Sequence, residues 1–137
     1  MSKTCIFILT FATFFDIHST KAKQFGYMMK LDEGYLVCCG DEPLNELNAH
    51  YVRNAKWLLH EAFCLYKDKE IYKPYEKHHS TVKDAAMIAQ KYHVENLLLY
   101  HTEDDHIIVR KEIYRDEAKQ YYSGRLYVPD DNETIIL

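Results

Sequence analysis

Short apolar runs that each stop at a polar residue set the architecture this chain can adopt. Residues 5–17 (CIFILTFATFFDI) end at His18, residues 35–39 (YLVCC) end in Gly40-Asp41, and residues 96–100 (NLLLY) end at His101. Their length and their β-branched and aromatic content suit buried strands, and each is too short to cross a bilayer as a helix. The spacing predicts one long strand over 5–17, then strands 24–31 and 35–40 joined by the turn Asp32-Glu33-Gly34. Residues 43–54, after Pro43, have helical spacing, and 56–62 (KWLLHEA) reads as a further strand. The Tyr- and Lys-rich stretch 64–78 shows no regular period. Thr81-Val82-Lys83-Asp84 is a capping box, and Ala85, Ala86, Ile88, Ala89 and Tyr92 follow on one helical face. A charged helix is expected over 109–122, and strands 125–128 and 134–137 around the turn Pro129–Asn132. Strands alternating with helices give an α/β layered domain, with residues 1–137 as a single unit.

Composition narrows the function. The chain has 137 residues, 47% of them hydrophobic and 28% charged, which is enough apolar material for a real core. Its net charge of −4 gives no broad electrostatic footprint for nucleic acid, while a locally cationic, metal-built site stays open. The expected partner is a phosphodiester or other small molecule, with nucleic acid as an alternative and no membrane. Cys5, Cys38, Cys39 and Cys64 form no C-x-x-C pair, so the expected state is free thiols in a reducing cytoplasm. Lys3 and the apolar run after it resemble a signal peptide in outline. No small-x-small cleavage site follows, and a secreted or membrane-tethered domain is the weaker reading.

His18, Asp41 and His101 share one structural position, the carboxyl end of a strand. Ligands gather at that edge of α/β sheets, and two imidazoles with a carboxylate suit zinc. The plain alternative is three hydrogen-bonded turn residues. His78-His79-Ser80-Thr81 lies just before the capped helix, where free N–H groups and the helix dipole favour anions. A histidine there can contact a phosphoryl oxygen or protonate a leaving alkoxide; the alternative is a solvated turn. Glu61, in His60-Glu61-Ala62, can orient a neighbouring histidine.

Taken in order, five segments resemble the C-terminal half of the ribonuclease Z-like branch of the metallo-β-lactamase superfamily. They are His18 with Gln24-Phe25-Gly26-Tyr27, then Cys39-Gly40-Asp41, then Leu58-Leu59-His60-Glu61-Ala62-Phe63, then His79-Ser80-Thr81-Val82-Lys83-Asp84-Ala85-Ala86, and Leu97-Leu98-Leu99-Tyr100-His101. The resemblance covers roughly residues 12–101 and implies half of a four-layer αββα sandwich. It implies that His18, Asp41 and His101 bind two zinc ions with Asp41 bridging, that His79 assists phosphodiester cleavage, and that Glu61 supports His79.

The family's H-x-H-x-D-H motif, which supplies most ligands and the water-activating Asp, does not occur here. Tyr27 and Gly40 are separated by a short hairpin where ribonuclease Z carries its tRNA-gripping arm. Gly-Asp-Glu replaces the usual Gly-Asp-Thr, and Thr102-Glu103-Asp104-Asp105 is acidic where a basic residue is common. The expectation is a dinuclear zinc hydrolase of phosphodiesters when completed by an N-terminal half. Its alternative is a truncated or split gene product, inactive alone, that binds metal weakly, self-associates or pairs with such a half.

Overall fold

The computed structural model describes residues 11–137. Six strands form one sheet in the order of the chain: β1 (Ala12–Asp16), β2 (Phe25–Leu31), β3 (Gly34–Cys38), β4 (Trp57–Glu61), β5 (Asn96–Tyr100) and β6 (Arg125–Tyr127). β1, β2 and β3 pair antiparallel, whereas β3 to β6 pair parallel. Parallel neighbours need crossovers, and helices supply them. Short α1 (Ala49–Val52) lies between β3 and β4, α2 (Lys69–Tyr72) and α3 (Val82–Lys91) lie between β4 and β5, and α4 (Arg110–Ala118) precedes β6. The expected turn forms at Asp32-Glu33, with Gly34 at φ +119°, a value a side chain strains to adopt.

Two rows of paired residues cross the sheet on opposite faces. Thr13, Met28, Val37, Leu58, Leu97 and Leu126 face the helices, and Val37, Leu58 and Leu97 are fully buried. Ala85, Ala86 and Ala89 of α3 and Tyr114 and Ala118 of α4 pack into the same core. Small alanines let α3 lie close over the sheet, which is why this helix, with its Thr81–Asp84 capping box intact, reads so clearly. The opposite row is Phe14, Tyr27, Cys38, Leu59, Leu98 and Tyr127, all half-buried or exposed. Gly26 serves this layering. A Cβ there would sit 2.5 Å from the Phe15 ring, which crosses over β2 to stack on Tyr51 at 4.4 Å.

Several expectations change. The part of the long first strand before Phe11 lies outside the described residues, and β1 itself spans Ala12–Asp16. Residues 43–54 hold only a 3-10 turn, Glu46–Asn48, and the single turn α1. Its asparagines are committed elsewhere: Asn45 Nδ2 donates to the Ile17 carbonyl and Asn48 Nδ2 to that of Asp16, both at 2.8 Å. The stretch 64–78 is built of short helical turns rather than irregular chain. α4 stops at Ala118, and Tyr122 leaves the helix so that its hydroxyl can reach the Val94 carbonyl at 2.9 Å. Residues 134–137 form no strand, because no neighbouring strand pairs with them and Ile136 is 91% exposed. No helix among the described residues is long and apolar enough to cross a membrane.

Candidate metal centre

β1, β3, β4 and β5 all point the same way, so their carboxyl ends share one edge of the sheet. That edge carries His18 after β1, Gly40-Asp41 after β3, Glu61 at the end of β4 and His101 after β5. Three of the exits are left-handed: His18 at φ +58°, Gly40 at +80° and His101 at +53°. For histidine this conformation costs about 1 kcal/mol.

Strand order decides which groups meet. β3 and β5 flank β4, and His101 Nδ1 lies 2.9 Å from Asp41 Oδ1. β1 lies two strands beyond β3 on the far side. His18 is exposed there, its backbone N–H held by Asp16 Oδ1 at 2.7 Å. The donor atoms of Asp41, His79 and His101 all lie within 4.8 Å of one another, and His18 is not among them. The expected trio of strand-end residues is therefore only partly assembled, and His79 occupies the third place.

His79 is not on a solvated turn. It is 9% exposed, between the stacked ring of Phe63 (5.3 Å) and the edge of His101 (4.7 Å). Its backbone N–H donates to the Pro74 carbonyl at 2.9 Å, and Ser80 Oγ to that of Glu61 at 2.9 Å. These bonds pin the His-Ser-Thr segment onto the end of β4. The expected anion site at the start of α3 is already taken. The N–H groups of Val82, Lys83 and Asp84 go to the Cys64 carbonyl, Glu117 Oε1 and Thr81 Oγ1.

Glu61 lies beneath the histidines, fully buried. Its Oε1 accepts the Ser80 N–H at 2.6 Å, while Oε2 lies 3.6 Å from His79 Nδ1, and neither atom has a hydrogen-bond partner among the described residues. Burial pushes the Glu61 carboxyl up to about 8, against the lowering effect of the Ser80 bonds. Burial also lowers His79, helped by His101 and opposed by Asp41. His60 has a different task. It is buried, its Nε2 accepts the Leu44 N–H at 3.0 Å, and its Nδ1 pairs with the Glu61 carbonyl at 2.7 Å. That fixes one neutral tautomer and anchors the chain after Asp41 to β4.

Sequence reasoning missed three contributors. Phe63 walls both histidines, and the Tyr100 hydroxyl donates to the Gly40 carbonyl, tying the two strand ends. Ser19 Oγ donates to Glu42 Oε1 at 2.5 Å, fastening the His18 loop beside the centre. Only the position of Tyr100 next to His101 offered a signal. Two imidazoles and a carboxylate with an open side fit zinc, and the unpartnered His79 Nδ1 beside Glu61 is the arrangement found behind metal-bound histidines.

No family model and no curated protein matches the chain by sequence. Its structure is similar to YhfI of Bacillus subtilis, described as a metallo-β-lactamase fold protein, with TM-score 0.67 and 22% identity over 87% of this chain and 46% of that one. The short form of human tRNase Z gives TM-score 0.68 and 18% identity over 96% of this chain and 45% of that one. The fold is that of the metallo-β-lactamases. A diphosphatase of the PhnP family is also similar, with TM-score 0.58 and 15% identity over 92% and 44% of the two chains. This metallo-β-lactamase-fold chain spans less than half the length of these three structures.

Proposed function

We propose that the chain provides one half of a dinuclear zinc hydrolase centre acting on phosphodiesters. The other half would be a polypeptide segment bearing H-x-H-x-D-H. The observation that carries this reading is the meeting of Asp41, His79 and His101 at one sheet edge, with Glu61 buried behind His79. A phosphoryl substrate class is supported by the neighbours, one a tRNase Z and another a diphosphatase. The short hairpin between Tyr27 and Gly40 argues against tRNA as the substrate. A cytoplasmic location is part of the same reading.

In the completed centre Asp41 and His101 would hold metal, with His18 as a further ligand. The chemistry a metal would supply at these residues is activation of water and neutralisation of phosphoryl charge. To give the leaving oxygen a proton from Nε2, His79 would have to be the imidazolium, its charge balanced by the Glu61 carboxylate 3.6 Å from Nδ1. It would leave as neutral imidazole with its remaining proton on Nδ1. Glu61 holds the opposite ring nitrogen, and Phe63 excludes water from one side of the imidazole. The test is co-expression with a segment carrying the missing motif, read as hydrolysis of bis(p-nitrophenyl) phosphate. Activity should appear with both halves and vanish with Asp41→Ala. A complex that binds two metal ions but cleaves no phosphodiester would rule the reading out.

A second reading, an inert fragment, is favoured by one observation. The row Phe14, Tyr27, Leu59, Leu98 and Tyr127 is a continuous apolar face that the described residues do not cover. A chain of this kind associates with a second sheet, of its own kind or of the missing half, and turns over nothing alone.

A further inference from the structure

We propose that a cavity on the far side of His101 is a subsite for a nucleobase carrying an amino group beside a ring acceptor. Base binding there needs no second half and no metal. Its consequence, that the substrate is a nucleoside phosphodiester, rests on the hydrolase reading.

The cavity, about 240 Å³, lies among the exit of β5, the start of α4 and the chain after β6. Drug-sized ligands fill about 300–1,000 Å³, so this space takes a single ring system rather than a whole nucleotide. Tyr100 and Pro129 line it with flat, largely apolar rings, surfaces on which a planar heterocycle stacks. His101 lines it too, and His101 is also one of the three clustered donors of the candidate centre. A base seated here therefore has its attached sugar and phosphate beside that centre.

The polar end is Arg110, 4% exposed and part of the same lining. A buried guanidinium is normally matched by a carboxylate in close contact. Asp130 stands off, its Oδ1 3.9 Å from Nη2, while its Oδ2 is held by Lys111 Nζ at 2.9 Å. Nη1 donates to Thr102 Oγ1 at 2.7 Å, Nη2 reaches the Pro129 carbonyl only at 3.5 Å, and Nε has no partner among the described residues. Most of the donor capacity of this guanidinium is thus unused, and its flat fork suits a carbonyl or ring-nitrogen acceptor.

The rim decides the class of ligand. Asp104 and Asp131, both exposed, line the same cavity and offer acceptors only. A phosphate would meet Arg110 but be repelled by these carboxylates. An amine would suit the rim but face the guanidinium. A ring with an acceptor for Arg110 and an amino group for the aspartates satisfies both ends. Cytosine, adenine and guanine have that edge, and uracil has no amino group.

The experiment titrates the purified chain with cytidine and with uridine, which match in size and differ at one edge. The readout is the ¹⁵N–¹H signal of Arg110 Nε, slowed in exchange by burial and identified by its absence in Arg110→Lys. Cytidine should shift it saturably with a dissociation constant on the order of 1 mM, as befits one ring. Uridine should bind about tenfold more weakly, having lost a hydrogen bond to a charged group. Asp104→Asn and Asp131→Asn, at exposed positions, should each weaken cytidine binding about three- to tenfold without altering the thermal unfolding midpoint. Equal affinity for cytidine and uridine would overturn the assignment. So would an equal shift with inorganic phosphate or with ribose alone, or no shift with cytidine up to its solubility. Nucleoside binding is measured on the chain alone, so its failure is distinct from that of the hydrolase reading. Cytidine binding with no phosphodiester cleavage by the completed protein would remove that reading and leave the subsite standing.

Discussion

His101 Nδ1 reaches to within 2.9 Å of Asp41 Oδ1 across the end of β4, although the two residues follow strands that are not neighbours. Adjacent strands lie about 4.8 Å apart, so two side chains leaving β3 and β5 start roughly 10 Å from each other. The left-handed turns at Gly40 and His101 lean both exits inward over Glu61. The Tyr100 hydroxyl, bonded to the Gly40 carbonyl, locks them there. A single hydroxyl thus sets the spacing of the two groups that define the centre.

Removing that hydroxyl should loosen the centre without emptying it. Tyr100→Phe leaves the Gly40 carbonyl without this donor, at a cost of about 1–3 kcal/mol in unfolding free energy. Cobalt affinity should fall several-fold, because Asp41 is then free to swing from His101. Urea unfolding and metal titration of the same variant measure both effects. Unchanged values in the two experiments would mean that the bond does not position the site.

Acid should destabilise the fold through His60, a residue outside the donor group. Burial lowers this histidine from its ordinary 6.5 to about 4, with the Glu61 carbonyl opposing the shift. The unfolded chain takes up a proton near pH 6.5 that the folded chain refuses until about pH 4. The neutral-histidine advantage is therefore whole above pH 6.5 and is lost between 6.5 and 4, on the order of 3 kcal/mol in total. Denaturant unfolding at pH 7 and pH 5 should show the fall. The slope between them should be shallower in His60→Gln, which has no proton to gain. Equal slopes in parent and variant would remove His60 as the cause.

Where sequence and structure agree, local rules had a tertiary partner working in the same direction. Thr81–Asp84 was legible because cap and core face coincide at α3. The runs ending at Asp41 and His101 were legible because strand polarity alone brings carboxyl ends to one edge. His18 shows the limit of that rule. Sharing an edge is not sharing a point: β1 lies two strands from β3, and His18 stands apart from the three clustered donors although the Ser19–Glu42 bond brings its loop alongside them. Residues 43–54 had helical spacing, yet Asn45 and Asn48 bond to the end of β1, a long-range demand that no periodicity reveals. Phe63 and the Glu61–His79 apposition arise from the register of β4 against the chain before α3, which one sequence does not encode in any local pattern.

The uncovered face of the sheet should make the isolated chain associate. Phe14 is 69% exposed, and it opens a row that runs through Tyr27, Leu59 and Leu98 to Tyr127. Apolar rows of this extent bury themselves against a second surface. Sedimentation should show concentration-dependent dimers of the chain alone, and Phe14→Glu should shift them toward monomer. A stable monomer at all concentrations, with one cooperative unfolding transition, would argue against this expectation.

In the protein completed by an H-x-H-x-D-H half, the role of His79 separates from that of the metal ligands. Once further donors from that half hold the ions, Nε2 of His79 is released to serve the leaving oxygen while Glu61 keeps hold of Nδ1. His79→Ala should then leave zinc content intact and lower turnover of an alkyl phosphodiester by about 10²–10⁴-fold, the range of general acid–base assistance. The loss should shrink for a nitrophenyl ester, since a nitrophenolate leaves without needing a proton. Asp41→Ala and His101→Ala should lose metal and activity together on every substrate. The position of His79 motivates the division: it precedes a capped helix, whereas Asp41 and His101 follow strands. Zinc content and the two rate ratios form one decisive set. If His79→Ala strips zinc from the completed protein, the histidine remains a ligand there and the acid must be sought elsewhere. If turnover of the alkyl ester is unchanged, His79 moves no proton and its burial beside Glu61 serves only to shape the centre.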